Sequence, residues 1–84
     1  MDLARLLAES LQRLRQEAGL TQAEMARVLG ISRPTLNRLE SASQNATLRT
    51  LARLCRALRC KPHDLFEPGN VRMRLPRRVH RVRG

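Results

Sequence analysis

Residues 21–40 read TQAEMARVLGISRPTLNRLE, and their spacing predicts two short helices joined by a tight turn. Thr21-Gln22-Ala23-Glu24 fits a capping box, in which the Thr hydroxyl accepts from the amide three residues on and the Glu side chain reaches back to the cap amide. Ala26 and Leu29 share a face with Met25 beside them, so the first helix runs for about two turns. Gly30 can take the left-handed conformation that ends a helix without a Cβ clash. Ile31 is an apolar plug in the turn. Ser32 caps the second helix, and Pro34 is tolerated there because first-turn amides have no intrahelical partner. Leu36 and Leu39 form its inner face, which leaves Arg33, Pro34, Asn37 and Arg38 pointing outward.

Two helices at a steep angle around a short turn containing Gly make a helix-turn-helix. The segment resembles the phage-repressor and Cro type, the XRE family. That pattern runs from a leucine and Thr-Gln through an apolar-Ala pair and a Gly turn to Ser and an apolar-spaced helix ending in Glu. Leu20, Thr21, Gln22, Ala23, Glu24, Met25, Ala26, Gly30, Ile31, Ser32, Leu36, Leu39 and Glu40 match it in order. The resemblance implies an all-α, compact five-helix DNA-binding domain over residues 1–67, with the helix-turn-helix at 21–40.

Composition agrees with that class. Eighty-four residues make one small domain near the lower limit of unaided folding, so a partner subunit would help. Hydrophobic residues, 42% of the chain, are mostly Leu and Ala, with one Phe and no Trp or Tyr, which favours helices. The lack of aromatics also counts against single-strand binding, where stacking supplies affinity. A formal charge of +10 points to a polyanionic partner, most simply nucleic acid. The first residues, MDLARLLAESL, lack the basic start and continuous apolar core of a signal peptide, and no apolar run is long enough for a bilayer, so a cytoplasmic protein is expected. Cys55 and Cys60 have no second pair at zinc spacing; they read as small buried apolar residues, with an oxidation-sensing pair as the alternative. No metal and no cofactor is expected.

Outward from the motif, Leu3, Leu7, Leu11, Leu14 and Ala18, widened by Leu6, form the apolar stripe of a first helix that Gly19 ends. Glu9, Gln12, Arg13, Gln16 and Glu17 fall on its wet side. Arg15 sits beside the stripe, and the resemblance implies that it pairs with Glu40 and orients the first helix against the reading helix. After the motif, Ser41 to Thr47 is a polar loop. The family often has Gly and Lys here; Ser41-Ala42-Ser43 departs from that and removes a phosphate-seeking cation. Ser43, Gln44 and Asn45 are candidates for phosphate contact, or the segment is a solvated connector. Thr47 caps a further helix with Leu48, Leu51, Leu54, Cys55 and Leu58 inside and Arg49, Arg53, Arg56 and Arg59 on its other sides, a face that reads first as solvated. Residues 60–66, CKPHDLF, resemble the family's final short helix, with Leu65 and Phe66 closing the core and His63 on the surface.

Glu67-Pro68-Gly69-Asn70 is a strong break, and residues 68–84 form a basic C-terminal tail with six of the seventeen basic residues. Residues 1–67 therefore carry eleven bases against seven acids, only +4. Val71, Met73 and Leu75 alternate with Arg72 and Arg74, the period of a short β-strand. A lone strand is unstable, and pairing with its copy in a second subunit would make a two-fold dimer. The rival reading, a basic arm that finds phosphates, suits Pro76 to Gly84.

A helix fits the major groove, entering by its N-terminal end. The expectation is therefore a homodimeric transcriptional regulator that reads a palindromic double-stranded DNA operator with recognition helix 33–40 and blocks or recruits polymerase there. Arg33 and Arg38 are placed for guanine and Pro34 for a thymine methyl, with Asn37 also facing base edges. Ser32 and Thr35 fall near the groove walls, and the resemblance gives Gln22 a phosphate contact and a bracing role. The alternative is an antitoxin that represses its own operon and binds a toxin protein; Asn45-Ala46-Thr47-Leu48 and the strand-like tail resemble some such members. A sequence-indifferent nucleoid-type binder is permitted by the charge. Catalysis finds no support: neither histidine has a nucleophile or carboxylate partner at a useful spacing, and no Gly-rich phosphate loop occurs.

Overall fold

The computed structural model describes residues 2–66. Within them the chain is all-helical: α1 (Leu3–Ala18), α2 (Gln22–Leu29), α3 (Arg33–Glu40), α4 (Leu48–Leu58) and a 3-10 helix at Pro62–Phe66. Each α-helix begins at a side-chain cap. Asp2, Thr21, Ser32 and Thr47 accept from the backbone N–H of Arg5, Glu24, Thr35 and Thr50, satisfying donors that a helix start would otherwise leave without partners. The Thr21 capping box is complete, with Glu24 Oε1 2.8 Å from the Thr21 amide. α1 and α2 end at Gly19 and Gly30 with φ of 72° and 73°, where a side chain would be strained.

The core is a set of leucines contributed by every helix. Leu7 and Leu11 from α1, Met25, Ala26 and Leu29 from α2, Leu36 and Leu39 from α3, Leu54 and Leu58 from α4 and Leu65 from the 3-10 helix form one cluster. Ile31, Leu14, Leu20 and Phe66 pack around it. α1 lies against α3 and the 3-10 helix, while α2 contacts α3 and α4. The helix-turn-helix is thus clasped from both sides, and the apolar face that α3 turns into the core is Leu36 and Leu39.

Three expectations need correction. The expected fifth helix is a five-residue 3-10 turn, begun by Pro62 and capped by Asp64, whose Oδ2 accepts from the Lys61 amide at 2.9 Å. Leu3 and Leu48 begin their stripes yet are 56% and 84% exposed, because each is the first residue of its helix and overhangs the elements that cover the later turns. Leu3 instead lines an open groove with Ala4, Leu7, Ala46, Leu51 and Phe66. Gln12 leaves the wet side of α1 for a contact with α3 described below. Ser10, not part of the apolar stripe, is buried, and its hydroxyl finds no hydrogen-bond partner among the described residues. The tail, including Val71, Met73 and Leu75, lies outside the described residues.

Candidate nucleic-acid interface

The exposed face of α3 carries Arg33, Pro34, Asn37 and Arg38, all four exposed to solvent. Helical geometry puts them there: Leu36 and Leu39 take the inward positions, Asn37 and Arg38 between them turn outward, and Arg33 and Pro34 lie in the exposed first turn. At the N-terminal end the Ser32 hydroxyl accepts from the Thr35 amide at 3.1 Å and donates to Thr35 Oγ1 at 2.8 Å. This end carries the positive pole of the helix dipole, which favours an anion. Arg33 and Pro34 stand beside it.

The C-terminal end is built differently. Glu40 is 4% exposed and would be costly to bury unpaired. Arg15 Nε donates to its Oε2 at 2.8 Å and Arg15 Nη2 to its Oε1 at 3.1 Å, a two-pronged pair across α1 and α3. Gln22 Nε2 donates to the same Oε1 at 3.1 Å. Gln12 Nε2 donates to the Glu40 carbonyl, and Arg15 Nη1 to the Leu20 carbonyl at 3.2 Å. Gln22 also reaches outward, since its Oε1 lies 3.4 Å from Asn37 Nδ2 on the exposed face. One carboxylate therefore ties α1, the start of α2 and the end of α3 together, with Asn37 as the link to the outer surface.

Beyond α3 the chain folds back. Ser43 N–H, Ser41 Oγ and Ser43 Oγ lie 3.1, 3.2 and 3.4 Å from the Arg38 carbonyl, and Gln44 Oε1 accepts from Arg38 Nε at 2.8 Å. The turn needs Ala42 at φ 58°, the left-handed region where a glycine would be unstrained. Ser43, Gln44 and Asn45 are exposed on this loop. On the other flank Arg53 Nη1 donates to the Gly30 carbonyl at 3.0 Å, so one arginine of α4 braces the turn of the motif.

The roles of Gln12, Arg53 and the Arg38–Gln44 pair were not anticipated from the sequence. Gln12 had a usable signal, being one turn before Arg15 on the same helix. Arg53 and Gln44 had none, because each partner is set by how the helices cross and the loop turns.

Elsewhere the chemistry is quiet. Cys60 is half-buried, and desolvation, the adjacent Cys55 thiol and Asp64 push its thiol up to about 12. It therefore stays protonated at neutral pH, where a thiol is a poor nucleophile. Stability that rests on the neutral thiol is present below the unfolded value near 9 and is lost as pH rises toward 12. His63 Nε2 lies 3.3 Å from Asp64 Oδ1 at the surface. Among the described residues no three His, Cys, Asp or Glu side chains gather as a metal site, and no helix is long and apolar enough to cross a membrane.

Comparison with known proteins places this arrangement. The helix-turn-helix family model matches residues 11–65. An uncharacterised HTH-type transcriptional regulator of Sinorhizobium fredii is 38% identical over 68 residues, 81% of this chain and 88% of its own length. Antitoxin HipB of Escherichia coli is 35% identical over 52 residues, 62% of this chain and 59% of HipB. The crystal structure of a hypothetical transcription factor from Neisseria superposes with a TM-score of 0.69 at 28% identity, covering 81% of this chain and 78% of that one. A family model spanning well over half of the chain, a relative alike along most of its length and a shared fold leave one assignment: the chain belongs to the XRE-type helix-turn-helix family of DNA-binding transcriptional regulators.

Proposed function

We propose that the protein is a homodimeric, sequence-specific transcriptional regulator that sets α3 into the major groove of a palindromic operator. The observation that carries this reading is the contrast within α3: a buried, multiply bonded Glu40 at its C-terminal end and an exposed face of Arg33, Pro34, Asn37 and Arg38. Arg33 and Arg38 each pair with a guanine through O6 and N7, a contact worth roughly 1–3 kcal/mol of discrimination. Pro34 meets a thymine methyl and Asn37 a base edge. Gln22, Ser32, Thr35, Ser43, Gln44 and Asn45 contact the phosphate backbone, and the Arg15–Glu40 pair holds the helix at its angle.

Residues 1–67 are the reading domain and 68–84 a basic tail that adds phosphate affinity, with Val71, Met73 and Leu75 contacting the second copy. A second copy would cover the apolar groove that Leu3 lines with Ala4, Leu7, Leu51 and Phe66. Dimerisation also supplies specificity, because one helix spans too few base pairs to select a genomic site. The compartment that goes with this partner is the cytoplasm, and the function is binding, with no catalytic step.

The likeness to antitoxin HipB supports a second reading, in which the protein also neutralises a toxin chain while repressing its own operon. Selection of bound duplexes from a random pool at moderate salt tests the first. A palindrome whose preference relaxes at separate positions in Arg33→Ala and Arg38→Ala is the expected result. Binding without enrichment that collapses as salt rises would sink it. A partner protein copurifying in fixed ratio favours the second reading.

A further inference from the structure

The loop after α3 is pinned to the helix it follows. The Ser43 amide donates to the Arg38 carbonyl, the Ser41 and Ser43 hydroxyls lie 3.2 and 3.4 Å from that oxygen and 3.0 Å from each other, and the left-handed Ala42 turns the chain so that they gather there. The result sets Gln44 alongside the Arg38 side chain, with Gln44 Oε1 2.8 Å from Arg38 Nε. A solvent-exposed arginine otherwise samples many rotamers, and ordering it on DNA costs affinity. An acceptor on Nε removes much of that freedom. It also leaves Nη1 and Nη2, the two parallel donors at the end of the guanidinium, to form the fork that guanine O6 and N7 accept.

We propose that Gln44 is a positioning residue for base recognition: it holds Arg38 in its reading conformation, beyond any phosphate contact Gln44 makes itself. The inference rests on the assignment of Arg38 to base reading. It predicts that Gln44, outside the recognition helix, determines preference at the same base pair as Arg38.

The test measures binding of the full chain to its selected operator and to operators substituted one base pair at a time. Arg38→Ala lowers discrimination at one pair per half-site on the order of tenfold. Gln44→Ala relaxes the same pair about threefold and has no further effect there in the Arg38→Ala background. Gln44→Glu, which keeps an acceptor for Nε, retains that preference while weakening binding to every operator. A Gln44→Ala loss spread evenly over all operators, or undiminished without Arg38, overturns the proposal and leaves Gln44 as a phosphate contact. If Arg38→Ala changes preference at no pair, the base-reading assignment fails, and the positioning role falls with it. In the free protein, the Arg38 Nε–H, assigned by its loss in Arg38→Ala, exchanges slowly with water and loses that protection in Gln44→Ala. Fast exchange in the unsubstituted protein overturns the proposal without any DNA being present.

Discussion

The two ends of α3 are made by opposite means. At the N-terminal end every hydrogen bond is local, made by Ser32 to Thr35 within the same turn, and Arg33 and Pro34 are exposed. At the C-terminal end Glu40 is buried and bonded to residues 18, 25 and 28 positions earlier in the chain. A reading helix needs both conditions. The far end fixes its angle, and the near end is left uncommitted so that its donors meet DNA and not the protein.

Breaking the anchored end has the largest effect. Glu40→Ala strands the Arg15 guanidinium, which is itself only 21% exposed, and removes acceptors for Gln22, so a loss of about 3 kcal/mol is expected. For a domain of this size that lowers the thermal midpoint by more than about 10 °C. A drop below about 1 kcal/mol would show that the pair behaves like a surface salt bridge and anchors nothing. Replacing both partners sharpens the point: Arg15→Met with Glu40→Leu recovers much of the stability, because no charge is then left buried alone.

At the other end, Ser32→Ala removes a cap and costs about 1 kcal/mol in thermal or urea unfolding. The loss is a third of the Glu40 effect because the freed amides of the first turn are reached by water. In the loop, Ala42→Gly relieves a left-handed alanine and raises stability by up to about 1 kcal/mol, part of the gain being offset by greater freedom of the unfolded chain. An unchanged midpoint would mean that the Ser41 and Ser43 bonds already offset the strain. The smallest effect on the fold belongs to Arg33→Ala, within about 0.5 kcal/mol, since the side chain is exposed. Its effect on base preference is the reverse, and a large destabilisation by this variant would remove the division of labour between the two ends.

The fold was legible because its signals are short-ranged. The capping box at Thr21, the caps at Ser32 and Thr47 and the glycine stops at 19 and 30 each involve residues within one turn, and the structure places them where the spacing does. The exposed face of α3 was legible for the same reason, as the complement of Leu36 and Leu39. Leu3 and Leu48 were misjudged because periodicity tells which way a residue faces but not whether anything stands opposite. The pairing of Arg15 with Glu40 came from family resemblance, since nothing local links residues 25 positions apart.

By itself, then, the sequence determined where α2, α3 and α4 start, where α1 and α2 stop and which side of each helix is apolar, because those choices are settled by contacts within about four residues. Only the tertiary structure decided which polar side chains find one another: Gln12 at the Glu40 carbonyl, Arg53 at the Gly30 carbonyl and Gln44 at Arg38. Those bonds depend on the crossing of α1 with α3, the seat of α4 against the turn and the left-handed step at Ala42. Hydrogen bonds form only within a few tenths of an ångström of their preferred length, a precision that packing of the whole domain sets and no local pattern encodes.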